Sequence, residues 1–255
     1  MPHNQIKLPS KEFIASLDSS GIDLADAETL PPECYVSGDF YEFEKEALFY
    51  HEWLCAGREN WVPNPGDYFT THIAGEPIVV ARGRDGKINA MSSVCKHRAM
   101  LVAEGKGNTR TFLCPYHHWA YGLDGKLVGA PAMEKTCNFN RDEHNLTPFA
   151  VEIWNGFVFI NFDREAAPLA PRLAKVAEAL KGYDLSGGDG IRPDAPGTFA
   201  WNWKVMFENN NDGYHASKLH NGPLHDFVPS DRAEFPDADP ADAGFLRYNG
   251  TLHKD

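Results

Sequence analysis

The chain is short of cysteine, with five in 255 residues, at positions 34, 55, 95, 114 and 137. So small and odd a number does not make the disulfide framework of a secreted chain, and a reducing, cytoplasmic setting is the default expectation. In such a setting, cysteines beside histidines point to metal rather than to cross-links. Long apolar runs are missing too. No stretch approaches the roughly eighteen apolar residues of a membrane helix. The opening MPHNQIKLPSKEF has no apolar core and no cleavage signal, so no secretion signal is read there. There is no basic excess: 24 Lys and Arg stand against 36 Asp and Glu, a formal net charge of −12. That balance argues against a general nucleic-acid or polyanion binder. Internal repeats and low-complexity tracts are absent as well.

What is present falls into three parts. Residues 1–40 are polar, with Pro31-Pro32, and read as an N-terminal arm with one short helix. Residues 41–163 begin with EFEKEALFYHEWLCAG, in which Phe43, Ala47, Tyr50 and Leu54 share one helical face. Short strands follow. DYFTTHIAG and EPIVVARG are β-rich, and the RDGK turn centred on Asp85-Gly86 joins the second of them to INAMSSV. TRTFL, a second Asp-Gly turn in GLDGKLV, and EIWNGFVFINFD, as one long strand or a pair, complete a small antiparallel β domain. Residues 164–255 hold a helix, PRLAKVAEALKGY, a Gly-rich link, and then GTFAWNWKVMFENNNDGYHASKLHNGPLHDF, which reads as a strand entering a helix. The last thirty residues are polar and read as weakly structured.

Two of the cysteines carry the first chemical signal. INAMSSV runs straight into Cys95, with His97 two residues on, and TRTFL runs straight into Cys114, with His117 three residues on. Thiolate and imidazole together select zinc or an iron–sulfur centre. A zinc finger keeps its cysteines in one knuckle and its histidines on a helix. Here each loop supplies one of each, an order that suits a two-iron cluster held between two loops better than a zinc ion. Cys34, Cys55 and Cys137 read as mostly buried small apolar residues.

The second signal is ENNNDGYHASKLH, which sets Asp212, His215 and His220 on an expected helix. Two imidazoles and a carboxylate can form the facial triad of a non-haem iron site, with positions left open for O2 and substrate. On spacing alone, ordinary surface or core histidines are the commoner explanation.

Both stretches resemble one family. CKHR…CPYHHWAY resembles the Rieske motif of Rieske non-haem iron oxygenases, including the Arg after the first His, the Pro-Tyr of the second loop and the Trp beyond it. The family usually has Gly where this chain has His118. The absence of an extra loop cysteine resembles the oxygenase type rather than the respiratory type. Asn202-Trp203-Lys204, Glu208-Asn209, Asp212, Tyr214-His215 and His220 resemble the signature of the same family's catalytic domain.

The resemblance implies an α+β chain: an antiparallel-β Rieske domain, then the first part of an α+β, helix-grip-like catalytic domain. It implies that Cys95, His97, Cys114 and His117 bind a [2Fe–2S] cluster, and that His215 and His220 bind mononuclear Fe(II). Asp212 becomes the electron-transfer bridge to a Rieske histidine of a neighbouring subunit. The family's third iron ligand, a carboxylate far downstream, has no counterpart in the matched region, so the chain is expected to be C-terminally incomplete. Asp226, Asp231 and Glu234 are available, but nothing in their placement recommends them, and His225 reads as a loop residue.

The implied partners are a reductase fed by NAD(P)H, with or without a ferredoxin, O2 and a small substrate, in a homotrimer or an alpha–beta hetero-oligomer. The expected substrate is a small aromatic compound, for instance an aromatic acid. The alternatives are an electron carrier or non-catalytic remnant, and a mono-oxygenase or demethylase of a quaternary amine.

Overall fold

The computed structural model describes residues 8–17, 26, 28–188, 190, 199–211, 215–220, 222, 233–234 and 250–251. The chain divides into two units. One, of β-strands, takes in Glu44–Pro171 and Leu180–Asp194; the other, mainly of helices, takes in Met1–Phe43, Arg172–Ala179 and Ala195–Asp255.

The β unit is built around the apolar run in EPIVVARG. Strands β2 (Asp67–Ile73), β3 (Glu76–Arg82), β4 (Ile88–Ser92) and β5 (Lys106–Asn108) form an antiparallel sheet in the order β4-β3-β2-β5, with β1 (Leu54–Arg58) outside it. Ile78, Val79, Val80 and Ala81 on β3 are all fully buried. A strand can bury four consecutive side chains only if both faces of its sheet are covered. Ile78 and Val80 face a core shared with Ala56, Val158 and Ile160, whereas Val79 and Ala81 face a core shared with Phe112, Tyr121 and Leu127.

The first core is closed by a sheet in the order β1-β10-β9, with β9 at Ala150–Trp154 and β10 at Phe157–Asn161. EIWNGFVFINFD is therefore a hairpin. Its Asn155 and Gly156 have φ of 46° and 76°, the left-handed pair of a type I′ turn. The second core is closed by a sheet in the order β6-β7-β8, with β6 at Phe112–Leu113, β7 at Ala120–Tyr121 and β8 at Leu127–Gly129. Both Asp-Gly turns form: Gly83 N–H bonds Lys87 O at 2.7 Å and Gly122 N–H bonds Lys126 O at 2.8 Å.

Three expectations are corrected. The helix over EFEKEALFYHEWLCAG ends early: α3 (Gly38–Glu44), which follows α1 (Lys11–Ser16) and α2 (Glu33–Val36), passes into a π turn over Lys45–Phe49. Ala47 is exposed, and Leu54 opens β1, where it pairs with Ile160. The backbone of residues 54–58 is taken by a sheet partner, which overrides the helical spacing. The helix over PRLAKVAEALKGY forms as two pieces, α4 (Leu169–Arg172) and α5 (Ala174–Ala179). No strand forms over Phe199–Asn202, and the chain enters α6 (Trp203–Asn211) from bends.

In the helical unit, α2 and α3 hold α6. Tyr35 donates its hydroxyl to Glu208 Oε1 at 2.7 Å. Burial first, and then Glu208, push the Tyr35 phenol up to about 12. The Lys204 ammonium lies 5.6, 5.4 and 5.2 Å from the ring centres of Tyr35, Phe40 and Trp203, within cation–π range. Past α7 (Ala216–Leu219), the described part of the C-terminal thirty residues is a two-residue antiparallel pair, β11 (Ala233–Glu234) with β12 (Gly250–Thr251). No described helix is long and apolar enough to cross a membrane.

Candidate iron–sulfur and iron sites

Strand β4 delivers Cys95 and strand β6 delivers Cys114. The two loops differ in spacing but share one backbone frame. Cys95 N–H bonds Met100 O and Cys114 N–H bonds Trp119 O, each at 2.8 Å; Ala99 N–H bonds Cys95 O and His118 N–H bonds Cys114 O, each at 3.0 Å. The residue four beyond each cysteine is left-handed: φ is 57° at Ala99 and 56° at His118. This is where glycine is at ease, so the His118 departure from the family pattern places a side chain in a backbone state that costs it energy.

Within this frame His97 and His117 meet, with ring centres 4.4 Å apart at 66°. The sulfurs lie inward, with Cys95 2 % and Cys114 1 % exposed, while His97 is half-buried and His117 exposed. Burial first, and then His117 and Arg98, hold His97 below the usual histidine range. A neutral imidazole is the form that binds metal. Its Nδ1 is buried without a hydrogen-bond partner.

Tyr121 completes the sulfur end. Its buried hydroxyl accepts Lys96 N–H at 3.1 Å and stands 3.3 Å from Cys95 Sγ. With its oxygen accepting the Lys96 N–H, the hydroxyl's own hydrogen is available to the sulfur. Burial first, and then Cys95, push the Tyr121 phenol well above its ordinary value, so it stays a donor.

The residues fit a two-iron cluster. Two buried thiols, two adjoining imidazoles and an orphaned buried ring nitrogen make a Cys2His2 donor set. A single zinc ion would gather at least three of these donors around one point. Among the described residues, no three His, Cys, Asp or Glu side chains do so. Cys34 is buried as expected, but Cys55 and Cys137 are exposed, which corrects their reading as mostly buried; Cys55 starts the bulge where β1 shifts register against β10.

The second constellation is only partly described. His215 and His220 do not ride on one long helix: they flank the single turn of α7, with Lys218 and Leu219 N–H bonding His215 O at 3.1 and 2.9 Å. That turn closes the gap between them and brings the rings to 5.2 Å. Asp212, Tyr214, His225, Asp226 and Asp231 lie outside the described residues. Glu234 sits on β11, and no described carboxylate joins the two histidines in a set of three.

Residues 52–149 match the Rieske [2Fe-2S] domain family, and residues 174–255 match the ring hydroxylating alpha subunit (catalytic domain) family. The chain belongs to the Rieske non-haem iron oxygenase alpha subunits. The carnitine monooxygenase oxygenase subunit of Escherichia coli (strain K12) is 37% identical over 213 residues, 81% of this chain and 56% of that one. The glycine betaine monooxygenase oxygenase subunit of Chromohalobacter salexigens is 33% identical over 216 residues, 84% of this chain and 48% of that one. Among solved structures, naphthalene 1,2-dioxygenase with indole bound superposes with a TM-score of 0.65 at 32% identity, covering 71% of this chain and 42% of that one. The chain thus spans about half the length of the curated relatives it matches.

Membership of this oxygenase family carries two iron centres, a [2Fe–2S] cluster and a mononuclear iron. Several contributors were not legible as such beforehand. Tyr121, Phe139 and His144 belong to the site's surroundings, and the buried alternation Trp119, Tyr121, Leu123 was the signal that could have found Tyr121.

Proposed function

We propose that Cys95, His97, Cys114 and His117 hold the [2Fe–2S] cluster and that the protein is the terminal oxygenase component of a mono-oxygenase of quaternary amines. When bound, the cluster supplies one electron at a time to the oxygen-activating iron. The chain's own residues do the rest. The two cysteines hold charge in a dry interior, Tyr121 donates toward Cys95 Sγ, and His117 presents an exposed ring edge. His215 and His220 are the proposed ligands of the mononuclear iron, and Asp212 is the proposed bridge to a Rieske histidine of a second copy. The net reaction inserts one oxygen atom of O2 into a substrate C–H bond and reduces the other to water, with both electrons from NAD(P)H through a reductase.

The observation that carries the substrate class is the identity to the carnitine and glycine betaine enzymes over more than four fifths of the chain. It moves the reading from the small aromatic compound first expected to the quaternary-amine alternative, although an aromatic dioxygenase shares the architecture. The test is substrate-dependent NAD(P)H oxidation and O2 uptake by the assembled oxygenase with its reductase. Carnitine, glycine betaine and choline are compared with naphthalene and benzoate. Oxidised product from a quaternary amine is expected; product from the aromatics alone would overturn the reading.

Iron per chain separates this reading from an electron carrier that holds the cluster alone, with three irons expected for the oxygenase and two for a carrier.

A further inference from the structure

Histidines that bind metal usually have their ring plane fixed by a hydrogen bond from the second nitrogen. In His97 the buried, unpartnered nitrogen is Nδ1, the one free to meet a metal, and no described residue hydrogen-bonds the second nitrogen, Nε2. It has a stack. The Trp119 indole lies parallel to the His97 imidazole, with ring centres 4.8 Å apart and planes 8° from each other. Trp119 is itself fixed. It is 2 % exposed, its carbonyl receives Cys114 N–H, and Phe139 and His144 abut it, each at 5.6 Å and steeply inclined. His97 also meets the His117 ring edge-on, and Tyr116 tilts against His117 at 3.8 Å. The five rings from Phe139 through Trp119, His97 and His117 to Tyr116 form a continuous ladder from a packed end to an exposed one.

We propose that Trp119 is the positioning residue of His97. Its indole sets the plane in which the imidazole offers Nδ1, and through that plane it sets the reduction potential of the cluster. The proposal rests on the reading of His97 as a cluster ligand. A flat ring can restrain another flat ring against rotation about its Cβ–Cγ bond without adding a charge or consuming a ring N–H. A hydrogen-bonding carboxylate would do both. The loop geometry agrees: Trp119 lies two residues beyond His117 yet stacks on the other loop's histidine, so one side chain ties the two loops together.

The test uses the cluster-loaded chain and three variants. Trp119→Phe keeps a flat ring, whereas Trp119→Leu and Trp119→Met remove it. Each is followed by EPR of the reduced cluster, by its midpoint potential, and by iron and sulfide per chain. The leucine and methionine variants are expected to change the g-anisotropy and to move the one-electron equilibrium at least tenfold, about 59 mV. The phenylalanine variant is expected to recover most of that change. Cluster loss from Leu and Met variants that still melt cooperatively, with retention in the Phe variant, supports the proposal equally. Unchanged g-values and potential in either non-aromatic variant that keeps its iron and sulfide overturns it. Loss of cooperative melting in all three also overturns it, because Trp119 would then be a core residue and nothing more. His97→Ala checks the underlying reading separately: if that variant keeps a Rieske-type signal, it is the ligand assignment that fails.

Discussion

On β3 of the β unit, Ile78, Val79, Val80 and Ala81 are fully buried, whereas on α6 of the helical unit Trp203, Val205, Met206 and Phe207 are 38, 40, 38 and 60 % exposed. The β unit supplies its own covering layers within residues 44–171, and each apolar face of its central strand has a sheet opposite it. On α6 Trp203, Met206 and Phe207 share one helical face, and of residues 203–210 only Lys204 is buried. Tyr35 reaches this helix through Glu208, and the Tyr35 and Phe40 rings lie within cation–π range of Lys204. The two iron motifs inherit this difference: the cysteine and histidine loops are pinned by matched hydrogen bonds, while the histidine pair hangs on a single turn.

The largest effect is expected where the β unit is most complete. Cys95→Ser should reduce iron and acid-labile sulfide per chain to near zero, because a buried hydroxyl cannot replace a thiolate ligand. Visible absorbance and metal analysis would read this, and full retention of the cluster would break the comparison at its stronger end.

Next comes Tyr121→Phe, which should keep the cluster but lower its potential by about 60 mV, a tenfold change in a one-electron equilibrium. The removed hydroxyl donates toward Cys95 Sγ, and such bonds favour the reduced, more negative cluster.

In the helical unit, Tyr35→Phe should cost about 1 kcal/mol in denaturant unfolding, since the lost bond to Glu208 is partly exposed. The native contribution carries a pH signature. The Tyr35 phenol is raised from 10.0 to about 12, so its stabilisation is fully present below pH 10 and fades as the pH rises toward 12. A Tyr35→Phe difference that stays constant across that window would remove Tyr35 from the account.

The smallest effect tests the backbone of the second loop. His118→Gly should stabilise the apo chain by about 0.5 kcal/mol, the left-handed relief less the entropy that glycine adds to the unfolded chain. A melt that falls instead would mean that the His118 side chain contributes more than its φ of 56° costs.

Much of the β unit was legible because its signals are local. The Asp-Gly turns, the fully apolar β3 and the strand ends at Cys95 and Cys114 depend on near neighbours in sequence. What escaped depends on distant partners. The Lys106–Asn108 strand has no apolar residue to announce it and exists because β2 offers an edge; it pairs Asp67 with Asn108. Leu54 fits a helical face and becomes a strand because β10 pairs with it. The N-terminal arm gave no sign that Tyr35 would reach Glu208 across 173 residues. Of the second site, the approach of His215 to His220 agrees with their spacing. Asp212, the residue on which the proposed electron path turns, lies outside the described residues.

The central claim is that the two loops hold one [2Fe–2S] cluster between two cysteines and two histidines. EPR of the reduced, anaerobically purified protein, with iron and sulfide counted on the same sample, tests it most directly. The account predicts a Rieske-type signal, with an average g below that of all-cysteine clusters and two sulfides per chain. Zinc recovered without iron or sulfide, or a signal of the all-cysteine type, would contradict it.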